Sequence, residues 1–549
     1  VDTPAIRKAR GAFFTPPALA RFITDWAIRS GSDRVLEPSC GDAAFLLPAA
    51  ARLRSLGARG RLDGLLNGVE IHAPSAAQAQ ARLDGAGAGA MIQVGDFFDA
   101  SPGQSYDAVV GNPPFVRYQQ FIGDARAKSL RAALAQGVRL TGLASSWAAF
   151  TIHASDFLAP EGRLGLVLPA ELLTVNYAAE VRRFLLQRFA KVKLVLFDEL
   201  VFPDVLEEVV LLLAEGRGGC AAFEVYQARN PDDLRKIGAD SWVGYSPAGD
   251  QKWTPALLPA EALDQYTELV DDARFTTLIE GWGETYLGAV TGNNKFFTLT
   301  RAEAKHLGLR TGELLPISPP GSKHLQAMVF GQEAWEQLAA EGKRCFLFAP
   351  GDKPSAAARA YIAEGEREGV HQGYKCRQRV AWWRVPMVEC PDLFFTYMNH
   401  DRARLVTNDA RAHVLNSLYG VRLNEDVREL GRGWLPLASL NTISLLGGEM
   451  VGRAYGGGML KHEPKEADLM PVPSAAIVAA ASDDLEAIRP QVGRMLRAGK
   501  TQDAIELIDR AVLVKHCGLG KRQLKTLRDA REHLFQRRVS RARGERVTV

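Results

Sequence analysis

The chain has 549 residues, 47% of them hydrophobic and 24% charged, with a formal net charge of +4. That length suits two or three domains with sizeable cores, and so mild a charge requires any nucleic-acid surface to be local. Six cysteines, at positions 40, 220, 345, 376, 390 and 517, form no CxxC pair and are too sparse for a disulfide framework or a structural zinc site. Val1-Asp2-Thr3-Pro4 carries no signal-peptide core, and no run of about 20 apolar residues follows. The expectation is a soluble, cytoplasmic protein without a metal or a membrane segment.

In chain order, Arg34 to Leu46 reads as strand, tight turn and helix. Gly41 lets the backbone approach a ligand, and the start of the next helix offers unpaired N–H groups. One glycine is not a dinucleotide fingerprint, so a phosphate cradle is poorly supported. Leu66 to Ile71 is a second short strand, ending in Glu70, the usual place to grip ribose hydroxyls. Ile92 to Phe98 is a third, ending in Asp96 with aromatics behind it. Each acid taken singly is more often a turn residue or a helix cap.

Tyr106 to Val110 is a buried strand that stops at Gly111, and Asn112-Pro113-Pro114-Phe115 follows. Two prolines cannot continue a ladder, so the chain leaves the sheet there. The exit gathers a carboxamide, a tertiary-amide carbonyl and an aromatic ring. Both oxygens can accept from one exocyclic NH2 group while the ring stacks on the heterocycle bearing it. An ordinary strand-terminating turn accounts for the tetrapeptide equally well. Four such strand ends in order, within about 80 residues, form the ligand crevice of an open α/β sheet.

Ser146 to Leu158 has helical spacing, with Trp147, Phe150 and Phe157 packed on the sheet. Arg163 to Pro169, Val192 to Phe197 and Val209 to Leu213 are further apolar strands, and Val201-Phe202-Pro203-Asp204-Val205 turns between the last two. A phenylalanine beside a proline is more often a packing residue.

From about residue 216 the texture changes to short pieces interrupted by Gly and Pro. Thr291 to Phe297 is a turn; Gly321 to His324, Lys375 to Arg384 and Thr407 to Arg411 set basic and amide groups beside aromatics. Such groups hold phosphates and read base edges, although each patch alone is equally a solvated surface. Arg453 to Lys461 is glycine-rich. Ser482 to Val549 is helical, and residues 521–546 hold ten basic side chains against three acids. That density can neutralise phosphates or form a solvated helix face.

Gly11-Ala12-Phe13-Phe14-Thr15-Pro16-Pro17, Glu37-Pro38-Ser39-Cys40-Gly41-Asp42, Gly68-Val69-Glu70-Ile71, Gly95-Asp96-Phe97-Phe98 and Asn112-Pro113-Pro114-Phe115 together resemble the motifs of bacterial DNA amino-methyltransferases. Their order resembles the gamma class, mostly adenine-N6 enzymes of restriction–modification systems. Ala43 stands where many relatives have glycine, and Phe115 where tyrosine is common. The resemblance implies a Rossmann-like α/β sheet (1–216) binding S-adenosyl-L-methionine, a mixed α+β target-recognition domain (217–474) and a helical basic tail (475–549). It places Phe14, Thr15, Glu37, Pro38, Cys40, Gly41, Asp42, Glu70, Ile71, Asp96, Phe97 and Asn112 around the cofactor. Asn112, Pro113, Pro114 and Phe115, with Phe202 as a second aromatic, would hold a flipped-out base.

The resemblance also makes the basic patches candidate contacts to double-stranded DNA: Asn293, Asn294, Lys295, Lys323, Arg377, Arg379, Arg384, Arg411 and Lys461. The Arg453–Lys461 element resembles one near the end of related recognition domains. Cytosine-N4 methylation uses the same chemistry, and the leading Asn rather than Ser favours adenine. A glutamine methyltransferase of the release-factor type would leave the chain beyond residue 216 unexplained. A non-catalytic DNA-binding subunit is opposed by the intact cofactor motifs. No nuclease motif is visible, so the expected partner is a separately encoded restriction endonuclease. The sequence carries no signal of oligomeric state.

Overall fold

The computed structural model describes residues 15–202, 208–247, 251–455 and 458–543. They divide into two compact units, one ending at Leu257 and the other beginning at Leu258.

The first unit is built on a nine-stranded sheet: β1 (Val35–Glu37), β2 (Leu66–Glu70), β3 (Met91–Val94), β4 (Tyr106–Gly111), β5 (Leu158–Pro169), β6 (Phe189–Phe197), β7 (Val209–Arg217), β8 (Phe223–Ala228) and β9 (Val243–Tyr245). Their spatial order is β3-β2-β1-β4-β5-β7-β6-β8-β9. Strands β1 to β5 run parallel, and β7 is antiparallel to both its neighbours. Parallel strands must be linked by crossovers, and the helices Leu46–Ser55 and Ala73–Gly85 follow β1 and β2. The carboxyl ends of β1 to β5 therefore lie on one edge. Chain order reverses between β1 and β4, which makes that edge a topological switch point, where open α/β sheets bind ligands.

Helix Pro17–Ala27 starts with proline at its first position, where the missing N–H costs nothing. It lies tight on the sheet at Gly165, where a β-carbon would come within 2.5 Å of Ile23 Cγ2. The unit runs past the boundary expected at residue 216. The reason is pairing: β8 lies parallel to β6 over Lys193↔Glu224 to Phe197↔Ala228, and β9 pairs with β8.

The second unit holds a five-stranded sheet of Gly283–Leu287, Tyr419–Leu423, Leu393–Phe395, Leu405–Asn408 and Val329–Phe330, in that spatial order, with smaller sheets beside it. The helices Ser482–Arg497, Thr501–Ile508 and Lys521–Arg543 belong to this same unit rather than forming a separate tail. Buried charge holds the last of them. Arg528 bonds the fully buried Asp509 at 2.8–2.9 Å, and Asp509 also accepts from the Thr442 N–H and hydroxyl. Arg538 grips both oxygens of Glu449 at 2.7 and 2.9 Å and donates to the carbonyls of His400 and Gly458. Among the described residues, no helix is long and apolar enough to cross a membrane.

Candidate active site

The turn after β1 is pinned by acids at the strand ends. Glu37, 1% exposed, accepts the Leu46 N–H at 3.0 Å and so serves an N–H at the start of the next helix. Burial pushes its carboxyl well above the usual range, opposed by hydrogen bonds from the backbone at Leu46 and Phe45. Glu70 accepts the Gly41 N–H on one oxygen at 2.9 Å and the His72 N–H on the other at 2.8 Å. A carboxylate has about four acceptor positions, so two remain for a diol.

Gly41 has φ +52°, and a β-carbon there would meet nothing within 4 Å, so its backbone faces open space. Ala43 also takes a left-handed φ of 71°, where glycine is the unstrained choice. Asp42 pairs with Arg82, which also donates to the Asp42 carbonyl at 2.6 Å. Cys40 is 1% exposed and packs in the core, and its thiol is pushed up, first by burial and then by Glu37.

Ile71 is 67% exposed beside Glu70, an apolar side chain left open at a strand end. Asp96 caps the short turn Phe97–Asp99 by accepting the Phe98 N–H at 3.0 Å. Phe97 is 4% exposed, with its ring centroid 4.7–5.0 Å from those of Phe150, His153 and Phe157. It is part of an aromatic floor, and the half-exposed ring at this strand end is Phe98. An open glycine turn, a carboxylate with spare acceptors and an exposed apolar side chain suit a nucleoside carrying a charged side chain, which is the shape of S-adenosylmethionine. Phe14 lies outside the described residues.

The loop after β4 is held from three sides. Asn112 donates its side-chain N–H to the Thr15 hydroxyl at 3.2 Å, which sets the facing of the carboxamide. Ser39 donates to the Asn112 carbonyl at 3.3 Å. The Ser146 hydroxyl donates to the Pro114 carbonyl and accepts the Val116 N–H at 2.9 Å. Pro113 is buried, Pro114 half-buried, and Phe115 is a half-buried ring against the core. Phe202 does not present an open face. It is 4% exposed within the hydrophobic core, so its packing role prevails over the expected stacking role. Residues 203–207, where the sequence suggests a turn, lie outside the described residues.

In the second unit, two of the basic segments meet. Arg379 donates to the carbonyls of Val290 and Thr291, both at 2.7 Å, and to that of Trp382 at 3.1 Å. It is a structural staple, which corrects the expectation of a DNA contact. Asn293 is likewise engaged, capping the turn Asn294–Phe297. Asn294, Lys295 and Arg377 beside them are exposed. Lys323 and Arg411 are exposed on other loops, Arg384 pairs with Asp352, and Lys461 pairs with Glu463 at 3.0 Å. The basic helix is divided: Arg528 and Arg538 are bonded as described and Arg537 is 5% exposed, whereas Lys521, Arg522 and Lys525 are exposed. Arg541, Arg543 and Arg546, like the glycines at 456 and 457, lie outside the described side chains.

Sequence reasoning missed Arg82, Phe98 and Ser146. Only Phe98 had a local signal, its place beside an acid at a strand end.

Residues 3–233 match the N-6 DNA methylase family, and residues 250–513 match the C-terminal domain of Type II methyltransferase M.Eco57I. The chain thus carries an N-6 DNA methylase domain followed by a Type II methyltransferase C-terminal domain, the make-up of a DNA methyltransferase. It is similar to Type II methyltransferase M.AccI of Acinetobacter calcoaceticus, 22% identical over 470 residues that span 84% of each chain. It is also similar to M.XamI of Xanthomonas campestris pv. amaranthicola, 25% identical over 496 residues, 84% of this chain and 85% of that one. In fold it resembles the Type IIL restriction-modification enzyme MmeI in complex with DNA, with a TM-score of 0.57 at 11% identity over 95% of this chain and 75% of the other. The family and the fold of this DNA methyltransferase imply S-adenosylmethionine as methyl donor.

Proposed function

We propose that this methyltransferase acts on the N6 amine of an adenine rotated out of double-stranded DNA, in a gamma-class arrangement. The single observation that carries the proposal is the gathering of Glu37, Glu70, Asp96 and Asn112 at the carboxyl ends of adjacent strands β1 to β4.

The difficulty of the reaction is that the amine lone pair is delocalised into the purine. The Asn112 side-chain oxygen and the Pro113 carbonyl accept the two amine hydrogens and favour a pyramidal nitrogen, which localises that lone pair. S-adenosylmethionine, when bound, supplies an electrophilic methyl group. Glu70 holds the ribose hydroxyls, Ile71 and Asp96 the adenine of the cofactor, and Thr15 with Glu37 the methionine end. No strong base is required, because the methylated nitrogen is cationic and sheds its proton readily. A paired base is out of reach inside the duplex, so it must leave the stack, and Phe115 offsets the lost stacking.

Exposed Asn294, Lys295 and Arg377 contact the duplex in this reading, with Lys323 and Arg411 as further phosphate contacts. The similarity to Type II methyltransferases supports a separately encoded endonuclease as the other half of a restriction–modification pair.

Incubation of the purified chain with methyl-labelled S-adenosylmethionine and unmodified DNA, followed by nucleoside analysis, tests the assignment. N6-methyladenine is the expected product. N4-methylcytosine in its place removes the adenine assignment and leaves the amine chemistry standing.

A further inference from the structure

We propose that Ser146 is a positioning residue for methyl transfer, acting through Phe115 and the Asn112–Pro114 loop. The proposal rests on the reading of that loop as the base-binding element.

Proline has no backbone N–H, so Pro113 and Pro114 cannot donate the bonds that normally tie down a turn. The loop must be held by acceptors and donors brought from elsewhere, and Ser146 brings three. Its hydroxyl donates to the Pro114 carbonyl and accepts the Val116 N–H at 2.9 Å, and its own N–H donates to the Val116 carbonyl at 3.0 Å. One oxygen therefore fixes the peptide unit before Phe115 and the one after it. The direction of the Phe115 side chain follows from those two planes.

The platform behind the hydroxyl is stiff. Ser146 is 2% exposed and opens the helix Ser146–Asp156, which is buried from its first residue to Ser155. Trp147, 0% exposed, anchors the start of that helix by donating to Glu171 at 3.3 Å and to the Tyr177 hydroxyl at 3.1 Å. Glu171 lies just beyond Pro169, the last residue of β5, which is the sheet neighbour of β4. The same sheet edge thus carries both the loop and the anchor of its clamp. Serine supplies the hydroxyl at the smallest volume, and no shorter side chain offers both a donor and an acceptor.

The test compares Ser146→Ala and Ser146→Thr with the wild type, using an unmethylated duplex that serves as substrate for the wild-type chain. Single-turnover methylation, S-adenosylmethionine affinity by calorimetry and duplex affinity are read separately, and each variant is repeated in a Phe115→Ala background. Ser146→Ala is expected to slow transfer on the order of 10- to 100-fold, as misplacement of a reacting group does, with both affinities within about twofold of wild type. Ser146→Thr, which keeps the hydroxyl, is expected to recover most of the rate. In Phe115→Ala the further loss from Ser146→Ala should shrink, because the ring it orients is gone.

An unchanged rate in Ser146→Ala overturns the proposal. So does a loss of cofactor affinity equal to the loss of rate, which would make Ser146 a general packing residue. So does full additivity with Phe115→Ala. A wild-type chain that methylates no adenine removes the underlying reading instead, and the two failures are therefore distinct.

Discussion

The two units use polar groups in opposite ways. In the first, the side chains that define the site stand at strand ends and bond to backbone N–H groups of the next loop: Glu37 to Leu46, Glu70 to Gly41 and His72, Asp96 to Phe98. They shape a crevice while keeping acceptor positions to spare. In the second, several arginines are turned inward, among them Arg379 and Arg538 from the basic stretches of the sequence. Arg402, Arg404 and Arg538 are 4%, 8% and 3% exposed respectively and bonded to Asp401 or Glu449. The contrast teaches that a strand-end acid announces its role locally, whereas an arginine's role depends on which acid or carbonyl the fold brings to it. An Arg fork is well suited to either use.

The sharpest way to break this comparison is Arg538→Ala. It would strand Glu449, itself 7% exposed, without its cation. Losing one partner of a buried pair costs about 3–5 kcal/mol, so thermal or denaturant unfolding should show a large loss of stability in the second unit. A loss of DNA affinity at unchanged stability would instead place Arg538 on a binding surface.

Asn112→Ala is the counterpart in the first unit. Removal of a preorganised polar group at a reacting centre costs on the order of 10²–10³ in rate. Turnover should fall by that much while the melting temperature and the heat of S-adenosylmethionine binding stay close to wild type. Equal losses of turnover and cofactor binding would merge the two roles that the loop and the β1–β3 ends hold apart.

The smallest effect separates neighbours. Arg377 is exposed and Arg379 is stapled to Val290 and Thr291. Arg377→Ala should leave stability unchanged, weaken duplex binding, and lower the slope of log affinity against log salt by about 1, the signature of one phosphate contact. Arg379→Ala should lower stability, with little change in that slope. The reverse pattern would exchange their assignments.

Much of the first unit was legible in the chain. Short apolar runs ending in Glu37, Glu70, Asp96 and Asn112 determine parallel strands, and parallel strands place all their carboxyl ends on one edge. A local pattern is enough because a short, continuously buried apolar run and its turn chemistry act over a few residues. What lay beyond reach were contacts between distant segments. The sheet continues past residue 216 because β8 finds β6. Phe202 is drawn into the core, and Phe97 into an aromatic floor with Phe98 left at the rim. Ser146 reaches the loop after β4 across 30 residues, and Arg538 reaches Glu449 across 89. Nothing in the residues flanking Ser146 or Arg538 encodes those partners. Sequence by itself determined which chemistry stands at the strand ends; only the tertiary structure decided which side chains hold that chemistry in place, because a hydrogen bond or ion pair depends on distance in space and not along the chain.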